Sequence, residues 1–447
     1  MRKLFGTDGI RGKVNVYPMT IEVVMKIGQA AGLVFKNGNR KSKIVIGKDT
    51  RLSGYMIENA LATGLLSTGA EVYFVGPMPT PAIAHITKSF AADAGIVISA
   101  SHNPYEDNGI KFFDSNGFKL PDEVEERMEQ LALGEIKTDN VVGEMVGKAH
   151  RINDASGRYI EFAKNSIGNM SLKGLKIVLD CANGATYNVT KYILGELGAE
   201  VILRNVNPDG KNINEKCGAM HPELLKNDVL IEKADLAIAL DGDGDRVIML
   251  DEKGEVVCGD SLMAIAALEM LKKGKLKKNT LVVTGYSNMG LIKAIEGAGG
   301  QVVRVKNGDR YVVEEMRREG YNLGGEQSGH IIFLDYTTTG DGTISALQIL
   351  RIMKENGKKL SELASVMKKF PQVILNVEVS KKKPLEEMPG LQLKVNDLNS
   401  KLSGRGRLLV RYSGTQNILR IMIEGEDEVE ISNYAEEIAE EVRKEIG

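Results

Sequence analysis

The sequence predicts an α/β protein: three similar α/β/α domains with mixed sheets and a smaller C-terminal α+β domain, arranged around one central cleft. Three observations predict it. A strand–helix–glycine turn–strand pattern occurs three times. Each occurrence runs on to a further apolar stretch that stops in a distinctive polar loop. Beyond Pro371 the pattern changes to separate strands followed by an amphipathic terminal helix.

In the first repeat, Lys43–Gly47 reads as a strand, Tyr55–Thr68 as a helix, and Gly69–Val75 opens the next strand. Lys176–Asp180, Val189–Leu197 and Gly198–Leu203 repeat the order, as do Thr280–Thr284, Leu291–Glu296 and Gly299–Val303. The continuations are Ala92–Ile98 leading to Ser101, Asp235–Leu240 leading to Asp241–Arg246, and Tyr321–Phe333 holding Gly324–His330. Equivalent positions in similar domains can converge, so the three loops are expected to form parts of one site.

Boundaries follow. Glu123–Leu133 reads as a helix, Gly134–Lys148 as a polar connector, and Arg158–Ser166 as the helix opening the second domain. A turn at Asp251–Gly254 follows the second domain, and a helix over Gly357–Lys369 is expected to close the third. In the last domain, Val373–Val379, Arg407–Val410 and Ile418–Glu424 read as strands and Val429–Ile446 as a helix. The expected domains are 1–150, 151–250, 251–370 and 371–447.

Composition narrows the class. The 447 residues suffice for about three or four domains. A formal net charge of −2 offers no basic field for nucleic acid. Cys181, Cys217 and Cys258 are far apart and lack CxxC spacing, which argues against a disulfide framework or zinc site and for a reducing cytoplasm. The polar, glycine-rich Met1–Gly12 does not read as a signal peptide, and no apolar run approaches the ~18 residues of a membrane span.

Four loops carry the chemistry. Pro104 stops the strand before it, so Ser101 sits just past a strand end, where open α/β sheets place ligands. Alone, Ser-His-Asn-Pro would be a capped turn. With Gly109 and Lys111 following, and with the rest of the chain, it reads as a hydroxyl that carries a phosphoryl group to and from a sugar. Asp241, Asp243 and Asp245 alternate with glycines, and three clustered carboxylates repel unless a cation joins them. Oxygen-only ligands favour Mg²⁺ over zinc. An EF-hand loop would need Gly where Arg246 stands, and a dehalogenase-type phosphatase motif would need Thr or Val where Asp245 stands.

In the third loop, Glu326 and Ser328 suit sugar hydroxyls and His330 could move a proton, although a strand-entry turn would look the same. Arg411–Asn417 with Arg420 offers guanidiniums, hydroxyls and a glycine-opened backbone for phosphate, or else an ordinary hairpin. Phe5–Gly12 and Gly47–Arg51 could support phosphates or simply be loops.

Together with Gly308–Val312, these motifs resemble the α-D-phosphohexomutase superfamily over nearly the whole chain, and its glucosamine branch in particular. The resemblance implies a phosphoserine at Ser101 whose phosphate ligates Mg²⁺ with Asp241, Asp243 and Asp245. It implies proton transfer by Lys111 and His330, and sugar contacts by Glu326 and Ser328. Arg411, Ser413, Gly414, Thr415 and Arg420 would hold the phosphate not being transferred. Arg11 would orient a bisphosphate, with His102 and Arg246 also on the substrate. The implied reaction interconverts glucosamine 6- and 1-phosphates through a 1,6-bisphosphate, feeding UDP-N-acetylglucosamine and cell-wall precursor synthesis. Glucosamine or glucose 1,6-bisphosphate is the implied activator, a homodimer a possible assembly, and a diadenylate cyclase a partner of some relatives.

One departure is Gln416-Asn417, where members usually have Glu-Pro; the arginines and hydroxyls beside it remain. The rival readings are a mutase for mannose or glucose phosphates, a metal-dependent sugar phosphatase using Asp241, and a non-catalytic sugar-phosphate sensor.

Overall fold

The computed structural model describes residues 3–6, 8–36, 38, 40–138, 141–412 and 417–446. They form two compact units: Met1–Tyr286 with Ile295–Val366, and Ser287–Ala294 with Met367–Gly447.

The first unit holds three sheets. The first contains β1 (Ile10–Lys13), β2 (Lys43–Lys48), β3 (Glu71–Pro77), β4 (Ala94–Ile98), β5 (Asp107–Asp114) and β6 (Ala149–Arg151), in the order β1-β5-β4-β2-β3-β6. The second contains β7 (Lys176–Asp180), β8 (Glu200–Arg204), β9 (Leu236–Leu240), β10 (Val247–Leu250) and β11 (Val256–Val257), in the order β11-β10-β9-β7-β8. The third is β12 (Thr280–Thr284), β13 (Gln301–Val305), β14 (Leu323–Gly325) and β15 (Ile331–Phe333), in the order β13-β12-β14-β15.

One topology underlies all three. A first strand pairs in parallel with its two neighbours, and the chain then turns back into an antiparallel strand: β4 to β5, β9 to β10, β14 to β15. β4, β9 and β12 are buried along their whole length. Strands covered on both faces need no polar alternation, which is why their sequences are short apolar runs. In the first sheet, Ile44, Ile46, Ile96 and Ile98 pack with Val24, Ile27, Ile57, Leu61 and Leu65 of the helices Ile21–Val34 and Ser53–Ser67.

The second unit is built around an antiparallel sheet of β16 (Gln372–Glu378), β17 (Gly406–Tyr412) and β18 (Ile418–Gly425), in the order β16-β18-β17. Leu419, Ile421 and Ile423 of β18 pack with Leu391, Leu398 and Leu402 of the helix Pro389–Leu402 and with Ile431, Ala435, Ile438 and Val442 of the helix Glu428–Ile446. Three α/β sheets and a C-terminal α+β unit are the fold class the sequence predicts.

Four details differ from expectation. The expected helix Gly357–Lys369 is only Leu360–Ala364. Gly357 instead ends an unforeseen helix, Gly342–Asn356, in a left-handed conformation with φ 62°. Tyr321–Phe333 is a hairpin of two short strands rather than a single continuation. Finally, β11 extends the second sheet beyond residue 250.

Candidate active site

The shared topology places the three distinctive loops at the same step of each sheet. The β4–β5 turn carries Ser101, the β9–β10 turn carries Asp241–Arg246, and the β14–β15 turn carries Glu326–His330. They meet in the first unit. A cavity of about 490 Å³ is lined by Arg11, Ser101, Asp245, Arg246, Glu326 and His330, together with Lys3–Gly6, Asp8, Gly9, Gly308 and Asp309.

The Ser101 hydroxyl donates to Asp241 Oδ2 at 2.8 Å and lies 3.3 Å from His102 Nδ1. Ser101 adopts a left-handed backbone, φ 52°, a conformation that costs a non-glycine residue about 1–2 kcal/mol. Opposite it stands Gly242, where a Cβ would come within 2.6 Å of the Ser101 carbonyl oxygen. The glycine between the first two aspartates is therefore what lets the acidic loop approach the serine loop. Burial holds the His102 imidazole down at about 4, with Arg246 and Arg11 adding to the effect.

Asp241, Asp243 and Asp245 are buried, with carboxylate oxygens within 4.8 Å of one another. Asp243 accepts from the Thr80 hydroxyl at 2.7 Å and from Lys111 Nζ at 2.8 Å. Asp241 Oδ1 accepts the Arg246 amide at 3.1 Å. Among the described residues, Asp243 Oδ1 and Asp245 Oδ1 are buried without a hydrogen bond, although Asp245 Oδ1 lies within 3.6 Å of His330 Nδ1 and 3.9 Å of Arg246 Nε. Buried carboxylate oxygens without hydrogen bonds are costly, and a hard cation would satisfy both. The residues present thus fit an oxygen-liganded metal ion. The Asp241 carboxyl is pushed well above the usual carboxylate range by burial and by its two acidic neighbours. Burial also opposes ionisation of Asp245, but Lys111, His330 and Arg246 hold it well below that range.

Around the triplet runs a chain of ion pairs. Lys111 Nζ, on β5, sits 3.3 Å from Asp8 Oδ2 and 3.6 Å from Asp245 Oδ2, beside its bond to Asp243. Its burial disfavours the charge, yet the carboxylates raise its pKa above the ordinary lysine value. Asp8 also pairs with Arg11 and Lys119, and Lys119 reaches on to Asp309. His330 Nε2 accepts the Gly340 amide at 3.0 Å and lies 3.3 Å from Asp309 Oδ2, while Nδ1 lies 3.6 Å from Asp245 Oδ1. Burial opposes protonation of that ring, and Asp245 and Asp309 raise its pKa nonetheless. Among the described residues, the buried Nε atoms of Arg11 and Arg246 have no hydrogen-bond partner. Two such guanidiniums on the cavity wall suit a phosphate.

The remaining candidates divide. Glu326 accepts the Gly308 amide at 3.2 Å on the cavity wall. Ser328 is not among the lining residues, and its buried hydroxyl has no hydrogen-bond partner among the described residues. Arg411 and Arg420 belong to the second unit, where they face each other across β17 and β18. Ser413, Gly414 and Thr415 lie outside the described residues. Sequence reasoning gave no role to Asp8, Thr80, Lys119 or Asp309; Asp8 and Asp309 do fall inside motifs it singled out, Phe5–Gly12 and Gly308–Val312.

Four family models match the chain in order, each described as phosphoglucomutase/phosphomannomutase: α/β/α domain I at residues 2–138, domain II at 157–254, domain III at 258–370, and the C-terminal domain at 374–441. A phosphoglucosamine mutase of Geobacter metallireducens is 58% identical, with 100% of both chains covered. A phosphoglucomutase/phosphomannomutase family protein of Burkholderia thailandensis superposes with a TM-score of 0.81 at 22% identity, covering 99% of this chain and 98% of that one. N-acetylphosphoglucosamine mutase of Aspergillus fumigatus, solved with GlcNAc-6P and magnesium, gives 0.68 at 20% identity, covering 99% and 96%. The two structural likenesses speak to fold.

Proposed function

The chain belongs to the phosphoglucomutase/phosphomannomutase family, and from that premise we propose that it interconverts glucosamine 6-phosphate and glucosamine 1-phosphate, with Ser101 as the phosphoryl carrier. The glucosamine assignment follows full-length relatives such as the 58% identical one. The observation that carries the chemistry is the 2.8 Å bond from the Ser101 hydroxyl to Asp241, which joins a nucleophile to a triplet fit for a cation.

Atoms and protons balance around the cycle. The O1 hydroxyl of glucosamine 6-phosphate attacks phosphorus on phosphorylated Ser101. The bond from phosphorus to Ser101 Oγ breaks, Oγ takes up a proton, and the proton from O1 leaves to a base in the cavity. The resulting 1,6-bisphosphate turns over, so that its 6-phosphate faces Ser101. Ser101 Oγ then gives up its proton to a base and attacks that phosphorus, the bond from phosphorus to O6 breaks, O6 regains a proton, and glucosamine 1-phosphate leaves.

Asp241, Asp243 and Asp245 would hold Mg²⁺, which when bound supplies charge against the transferring phosphoryl group. Lys111 brings a second positive charge into the acidic group beside Ser101, and phosphoryl transfer rests mainly on such charge and positioning. His330, buried on the cavity wall between Asp245 and Asp309, is the proton carrier of this scheme. Arg11 and Arg246 orient the phosphates with their unpartnered Nε atoms. Glu326 takes sugar hydroxyls. Glucosamine or glucose 1,6-bisphosphate is the expected activator, since it can phosphorylate an empty Ser101.

Mass spectrometry should find one phosphate, mapped to Ser101. Turnover with Mg²⁺ and glucose 1,6-bisphosphate should favour glucosamine phosphate over glucose and mannose phosphates in kcat/KM. A Ser101→Ala variant that folds and still isomerises the sugar phosphate would overturn the proposal.

A further inference from the structure

Resting on Ser101 as the phosphoryl carrier, we propose that Arg51 and Asn214 are positioning residues that clamp the main chain of residues 101–104 and aim the Ser101 hydroxyl at the acidic triplet.

Arg51 is 0% exposed and does not line the cavity. Its Nη2 donates to the carbonyls of Ser101 and Asn103, both at 2.9 Å, and its Nη1 to that of Pro104 at 2.9 Å. Asp49 balances the charge, with Oδ2 3.0 Å from Arg51 Nε. The same carboxylate accepts the Ser99 hydroxyl at 2.6 Å, and Ser99 Oγ accepts the Ser101 amide at 2.9 Å. From the second domain, Asn214 Nδ2 donates to the Ser101 carbonyl at 2.9 Å and to that of Asn103 at 3.2 Å. Asn214 is itself left-handed, φ 60°, and its amide is tied to the Ala182 carbonyl at 2.9 Å.

Both peptide groups flanking the Ser101 Cα are therefore fixed by side chains. A serine with φ 52° has no glycine's freedom, and its strained backbone persists only where surroundings over-determine it. A turn of that backbone would swing Oγ away from Asp241. Gly47–Arg51 reads in the sequence as a phosphate support or simply a loop; in the structure Arg51 gives three hydrogen bonds to the carbonyls of the serine loop. Because Asn214 comes from the domain that carries the aspartates, the clamp ties hydroxyl and triplet into one geometry.

The test uses the full chain with Asn214→Asp, which keeps the left-handed preference but removes the donor, and Arg51→Lys, which keeps the charge but loses the fork. A misplacement of about 1 Å costs on the order of 100-fold in rate. Both variants should lose about 10- to 100-fold in kcat, with KM for the sugar phosphate within about threefold, because neither Arg51 nor Asn214 lines the cavity. Phosphate transfer from glucose 1,6-bisphosphate to Ser101, followed by intact mass, should slow in parallel. Circular dichroism at the assay temperature must show both variants folded. Wild-type kcat in the folded Asn214→Asp protein, or a kcat loss no larger than its unfolded fraction, overturns the clamp. A wild type without phosphate on Ser101 would remove the premise instead, so the two failures are distinguishable.

Discussion

Tyr159 donates its hydroxyl to Asp341, 3.0 Å from both carboxylate oxygens, and so ties the helix Ala155–Asn165 to the start of the helix Gly342–Asn356. Asp341 also caps the latter helix by accepting the Ile344 amide at 2.9 Å. Burial raises its carboxyl to about 7, against the lowering effect of these bonds.

A raised carboxyl favours folding most below its unfolded value of 3.8, and the contribution is lost as pH rises through about 7. Tyr159→Phe removes a donor to the charged form and raises the folded value further. The variant should be about 1–3 kcal/mol less stable, and more so at pH 8 than at pH 6. Urea denaturation at the two pH values checks this; equal losses would show that the hydroxyl does not serve the ionised carboxylate.

Metal binding should appear as stability as well as activity. Two buried carboxylate oxygens without hydrogen bonds among the described residues, and mutual repulsion within the triplet, would be relieved by a cation that the unfolded chain does not hold. At a hundredfold excess over Kd the gain is about 2.7 kcal/mol. The melting temperature in Mg²⁺ should exceed that in EDTA by several degrees, and Asp243→Asn should shrink the difference.

Lys111 sets a different balance. Lys111→Met leaves Asp8, Asp243 and Asp245 without the ammonium they share. Breaking a buried pair typically costs about 3–5 kcal/mol. In Mg²⁺-loaded protein that remains folded, kcat should fall about 10²- to 10³-fold, as for loss of one preorganised charge. A kcat within threefold of wild type would remove Lys111 from the reaction.

The cavity wall has its own anchor. Glu129, on the helix Asp122–Leu133, accepts the amides of Lys3, Leu4 and Phe5 at 2.6, 2.8 and 3.1 Å. Glu129→Ala strands the buried amides of Leu4 and Phe5 at about 1–3 kcal/mol each. Because Lys3–Gly6 line the cavity, KM for the sugar phosphate should rise several-fold with a smaller change in kcat. Steady-state kinetics below the melting temperature separates this from simple unfolding.

What the sequence disclosed and what it concealed divide along chain distance. Ser101 and the three aspartates belong to short contiguous motifs at strand ends, so residue type and spacing sufficed. The Thr80–Asp243 bond spans 163 positions and the Lys119–Asp309 pair 190, and a solitary threonine or lysine carries no local mark of its partner. The helix Gly342–Asn356 is not legible in the sequence because its first nine residues are all buried. A helix wrapped on every side shows no polar face, so its period is faint. Gly357, where it ends, reads in the sequence as a beginning.

The same parallel-to-antiparallel corner is used three times, once per domain, to present a chemically different loop. Each loop hangs from its own sheet, so its sequence can be rewritten without re-registering the other two. Exchanging residues 326–328 for the matching segment of a relative with another hexose preference, with His330 kept, would thus retune sugar choice while leaving the proton carrier beside Asp245 in place. One recurrent corner thus mounts three unlike tools around a single cavity.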